Sequence, residues 1–72
     1  MITGPQFRAA RTLLGWTIAD LSDRSRLSKS LIQRVETSPG VPAVRAENLS
    51  RLLRTLEEAG AVLSEKRAGD DD

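Results

Sequence analysis

Lys29, Ser30 and Gln33 set three hydrogen-bonding side chains within one short stretch, SKSLIQRVE. On a helix, Lys29 and Ser30 occupy the first turn and Gln33 lies one turn on, so the three project from one face. Groups of this kind suit recognition by edges of donors and acceptors. The DNA major groove presents such edges and admits a helix: Lys29 matches guanine O6 and N7, Gln33 matches adenine N6 and N7, and Leu31 can touch a thymine methyl. Which base each would read does not follow from residue types. Phosphate contacts are expected from the helix N-termini at Thr17 and Ser28, where backbone N–H groups lack intrahelical partners, and from Arg26, Arg34 and Arg45. Any one of these arginines alone reads equally well as a solvated surface charge.

Composition leaves little for other chemistry. There is no histidine and no cysteine among the 72 residues. The commonest general base and metal ligand is therefore missing, as are disulfides, thiolate sites and any sign of an oxidising compartment. No glycine-rich loop cradles a phosphate, and so short a chain has no room for a pocket, so an enzyme is not expected. No cofactor and no metal are assigned. Asp70, Asp71 and Asp72 read as a solvated acidic end. No apolar run is long enough to cross a membrane, and MITGPQFRAA lacks a signal-peptide layout, so a cytoplasmic protein is expected.

The net charge of +1 conceals an asymmetry. Residues 1–40 hold six basic and three acidic side chains, whereas residues 41–72 hold five basic and seven acidic. The positive excess accompanies the Lys29–Gln33 face and suits a polyanionic partner, though many ordinary domains carry as mild a bias.

The elements that must position this face can be read from capping chemistry. Thr17 can cap a helix, with Asp20 three residues on and Trp16 able to close over Leu21. Ser28 caps the next helix, with Leu27 and Ile32 as the corresponding apolar pair. The break between them lies at Ser25 and Arg26. Leu21, Leu27, Ile32 and Val35 are spaced so that two helices meeting at a steep angle would share one small core. Ahead of them, Thr3 and Gln6 form a capping box, Ile2 can pack on Phe7, and Phe7, Ala10, Leu13 and Leu14 make an apolar stripe ending at Gly15. Arg11 lies near that stripe, where a charge needs a partner. From the residues alone, Arg11 and Glu36 both read as solvated.

Thr37–Pro42 is the clear loop, with Pro42 expected in the first turn of the next helix. That helix carries Ala46, Leu49, Leu52, Leu53, Leu56 and Ala59 on one stripe and stops at Gly60. Ala61, Val62 and Leu63 are a short apolar run that reads either as a strand or as a helix extension. Residues 64–72 read as a disordered tail, leaving a domain over residues 1–63. A chain of this length buries only about 60% of the surface its unfolded form exposes, so help from a partner is expected.

The arrangement resembles the helix-turn-helix of the phage-repressor and Cro type, the XRE-like family, from about Ile2 to Leu63. ITGPQFRAARTLLGW corresponds to the first helix, TIADLSDRS to the second, LSKSLIQRVE to the recognition helix and RAENLSRLLRTLEEAG to the long helix that follows. The resemblance implies an all-α, four-helix domain and a pair between Arg11 and Glu36, which removes Arg11 from the DNA contacts. It also implies dimerisation through the C-terminal region, here Leu56, Val62 and Leu63. Three positions depart from the family pattern. Ile18 replaces a phosphate-binding glutamine, Arg26 replaces a glycine in the turn, and Ser22 replaces an alanine between the helices.

Two functions follow. The first is a sequence-specific DNA-binding transcriptional regulator, such as a repressor, that dimerises and docks two reading helices on a pseudo-palindromic operator. The second is an adaptor that keeps the fold and binds a protein through Ile18 and Leu31, as an antiactivator of a transcription factor or an antitoxin on its toxin. Ile18 and Leu31 are expected side by side as an exposed apolar patch.

Overall fold

The computed structural model describes residues 2–61 and contains four helices: α1 (Gly4–Leu13), α2 (Ile18–Ser25), α3 (Lys29–Thr37) and α4 (Ala46–Glu58). Among the described residues there is no strand, and no helix is long and apolar enough to cross a membrane.

Each of the first three helices starts where its cap is written. The Gln6 amide oxygen accepts the Thr3 N–H at 2.7 Å. At α2 the exchange is reciprocal: Thr17 Oγ1 accepts the Asp20 N–H at 3.0 Å, and Asp20 Oδ2 accepts the Thr17 N–H at 2.9 Å. Ser28 Oγ accepts the Leu31 N–H at 3.1 Å. These bonds satisfy donors that a helix cannot satisfy internally. The helix ends follow the same logic. Gly15 at φ +73° and Gly60 at φ +112° let the next N–H groups turn back, Trp16 N–H onto the Arg11 carbonyl and Ala61 N–H onto the Leu56 carbonyl.

Phe7, Ala10, Leu21, Ile32, Val35, Leu52, Leu56 and Ala61 form the core, one or more from every helix. Helix α3 lies at the centre, packed by α1 on one side and α2 on the other, while α4 closes the core against α1 and α2. Gly4 admits the start of α1 against the end of α3. A Cβ there would overlap the carbonyl oxygens of Val35 and Ser38. The Gly4 N–H donates to the Gly40 carbonyl at 3.0 Å, tying the loop to the same point.

The structure departs from the sequence expectations in several places. Leu13 is 84% exposed, because the stripe of α1 that faces α3 and α4 is carried by Gly4, Phe7 and Ala10. Thr37 completes α3 instead of opening the loop, and its hydroxyl donates to the Gln33 carbonyl at 2.8 Å. Pro42 is buried within the loop, four residues before α4, which starts after Arg45 without a side-chain cap. Ala46 and Ala59 are exposed, so the buried face of α4 is narrower than the stripe suggests. Leu56 has no exposed surface at all. It contributes to this chain's own core, and a partner could not reach it without opening the fold. Ala61 is neither strand nor helix but a buried plug behind the Gly60 stop. Val62, Leu63 and the expected tail over 64–72 lie outside the described residues.

Candidate nucleic-acid interface

The turn between α2 and α3 sets the pose of the proposed reading helix. Arg26 takes φ 65°, ψ 27°, the left-handed conformation, and donates its N–H to the Ser22 carbonyl at 2.8 Å. It is the only described residue other than glycine with positive φ. Two serines then lock the exit. The Ser22 hydroxyl donates to the Leu27 carbonyl at 2.6 Å, and the buried Ser25 Oγ accepts the Leu27 N–H at 3.3 Å. An alanine at position 22 would fill the same space without reaching across the turn. The role of Ser22 is therefore a positive one, visible only once the two helices are placed.

From beneath, α3 is braced by an ion pair. Arg11 Nε donates to Glu36 Oε2 at 2.7 Å and Arg11 Nη2 to Glu36 Oε1 at 2.9 Å, a bidentate fork. Arg11 Nη1 donates further to the Trp16 carbonyl at 2.8 Å. The hydrogen bonds to Glu36 raise the Arg11 pKa above its ordinary value, against the opposing effect of burial. The pair that the family resemblance implied is present. It joins α1, α3 and the α1–α2 corner through one side chain.

With Ile32, Val35 and Glu36 turned inward, the outward face of α3 is Lys29, Ser30, Gln33, Arg34 and Thr37, all exposed. The three side chains singled out for base contacts, Lys29, Ser30 and Gln33, therefore do share a free face. Leu31, the fourth, is half-buried at its border and packs against the core. A groove of about 370 Å³ runs beside it, lined by Leu31, Arg34, Val44, Arg45 and Asn48 among others. This brings Arg34 and Arg45 together. Asn48 joins them from α4, a position that no pattern within α4 marks.

On the other border a groove of about 360 Å³ is lined by Arg8, Arg11, Ile18, Gln33, Glu36 and Thr37. Ile18 is half-buried and packed on the core, as Leu31 is. The two line separate grooves, not the single exposed patch expected of them, because α3 itself stands between α2 and the loop.

The two helix N-termini are not equivalent. At Thr17 both the hydroxyl and the N–H are engaged by Asp20, whose carboxyl is held below the ordinary aspartate value, chiefly by the Thr17 backbone N–H. A carboxylate already occupies that end, and it repels a phosphate. Ser28 caps α3 with a neutral hydroxyl and is exposed, so the α3 terminus has no such competitor. Arg26 is exposed at the turn beside it. On the far side, Arg24 stacks over the Trp16 ring at 4.4 Å and is engaged there.

Searches among curated proteins and among solved structures returned no match. Compared with known families, residues 7–61 match the one described as Helix-turn-helix, a span that runs from the core-facing Phe7 of α1 to the Ala61 plug behind α4. With most of the chain matched, from the bracing helix through the turn to the closing one, this protein belongs to the XRE-type helix-turn-helix family of DNA-binding regulators.

Proposed function

We propose that the chain is a sequence-specific transcriptional regulator that acts as a dimer on a pseudo-palindromic operator, in the cytoplasm, most simply as a repressor. The observation that carries this reading is the free polar face of α3, where Lys29, Ser30 and Gln33 are exposed on a helix whose other side is core. An α-helix about 10–12 Å across fills a major groove about 12 Å wide, so side chains on that face reach base edges. Arg26, Arg34, Arg45 and the α3 N-terminus at Ser28 supply backbone contacts, with Leu31 at the border for a thymine methyl. Thr17, whose hydroxyl and N–H are engaged by Asp20, is left out of these contacts.

Two reading helices spaced one turn of DNA apart require a second copy, and Val62 and Leu63 are the proposed contact. The adaptor reading, through Ile18 and Leu31, is the weaker one. Half-buried side chains in separate grooves offer a protein partner little joined apolar surface.

The test uses the duplex that the protein selects from a randomised library. Lys29→Ala and Gln33→Ala each remove the preference for that duplex over scrambled DNA while leaving the melting temperature unchanged, and Leu63→Asp shifts sedimentation toward the monomer. Unchanged preference in both α3 variants would rule out the reading face. An Ile18→Glu variant that loses a protein partner while DNA selection fails would favour the adaptor.

A further inference from the structure

A helix seated in the major groove lies between two phosphate backbones, one along each border. None of the arginines read from the sequence as phosphate contacts lines the border beside Gln33. Arg34 and Arg45 line the groove on the Leu31 border, and Arg26 lies at the turn. The opposite border, beside Gln33, has Ile18 where α2 begins, and an isoleucine side chain offers a phosphate no donor.

That border does contain charge. Of the residues lining its groove, three are ionised: Arg8, Arg11 and Glu36. Arg11 and Glu36 neutralise each other in the bidentate pair, and Arg11 also donates from Nη1 to the Trp16 carbonyl. The net positive charge of the groove is then carried by Arg8, which is exposed on α1 one turn before Arg11. It lines the groove together with Ile18 and Gln33, and its fork of donors matches phosphate oxygens.

We propose that Arg8 is the backbone clamp for the second strand: it binds a phosphate on the Gln33 border and thereby fixes the register of α3 in the groove. This rests on the DNA-binding reading above. Arg8 is a positioning residue that carries no base preference, since phosphates are the same at every sequence. Helix α1 thus both braces α3 through Arg11 and holds DNA through Arg8.

The experiment measures affinity against salt for wild type and Arg8→Ala, using the duplex selected from a randomised library and a scrambled duplex. Arg8→Ala is expected to weaken both duplexes by a similar factor, roughly threefold to tenfold at low salt, and to make the slope of log K against log salt shallower by about 0.9. Its melting temperature stays at the wild-type value. A second measurement replaces single phosphates of the selected duplex by uncharged methylphosphonates. One position in each half-site should weaken the wild type and leave Arg8→Ala indifferent. If the wild type binds and Arg8→Ala shows the same slope, or the same sensitivity at every methylphosphonate, the clamp is overturned while the DNA reading stands. If the wild type selects no duplex at all, both fall together.

Discussion

Gly4 is the residue at which the chain tolerates least. A methyl group there would overlap two backbone carbonyl oxygens at the end of α3, and backbone cannot swing aside as a side chain can. Gly4→Ala should therefore cost at least about 2 kcal/mol, the upper part of the usual range for overpacking. Thermal melting would show it, and an unchanged transition would mean that α1 and α3 approach less closely than described. Nothing in ITGPQF marks this glycine, because its neighbour is contributed by residues more than thirty positions away. The same holds for Ser22, whose hydroxyl spans the turn, and for Arg8, which matters only as part of a groove built from three helices. Arg11 and Glu36 stand between these cases. Their pairing follows from the family resemblance, while composition alone leaves both on the surface. In the structure the Glu36 side chain is only 5% exposed, so removing Arg11 would strand a carboxylate within the fold.

At the scale of elements, capping made most of the fold legible. The starts of α1, α2 and α3 and the glycine stops after α1 and α4 all fall where local chemistry puts them, since a cap and its partner lie within a few residues of each other. Periodicity was a poorer guide at the helix flanks. Leu13 and Ala46 fit their stripes by spacing, yet both face solvent, Leu13 as the last residue of α1 and Ala46 as the first of α4. Pro42, a residue favoured in first turns, does not open α4 but is buried within the loop before it. The turn between α2 and α3 carries its own test. Arg26 performs in the left-handed region what Gly15 and Gly60 perform elsewhere, at a cost of about 1 kcal/mol for a residue with a Cβ. Arg26→Gly should raise stability by about that amount in denaturant unfolding while weakening DNA binding through the lost cation. Lower stability would mean that the arginine side chain makes contacts which outweigh the strain.

For the molecule as a whole, the four helices are arranged so that one of them is held from every side but one. The core, the Arg11–Glu36 pair and the serine-locked turn fix α3 from behind and at its N-terminus, and what remains free is its polar face. Rigidity there suits the proposed base recognition, which depends on side chains placed to within fractions of an ångström on a fixed backbone. Charge follows the same layout: cations border both sides of α3, Arg8 on one and Arg34 with Arg45 on the other. The measurement that bears most directly on this account is selection from a library of randomised duplexes by the intact protein, followed by titration of the recovered duplex at several salt concentrations. The account predicts an enriched pair of half-sites related by a two-fold axis and spaced about one helical turn apart, with affinity falling steeply as salt rises. Recovery of no common sequence, or binding indifferent to salt, would contradict it.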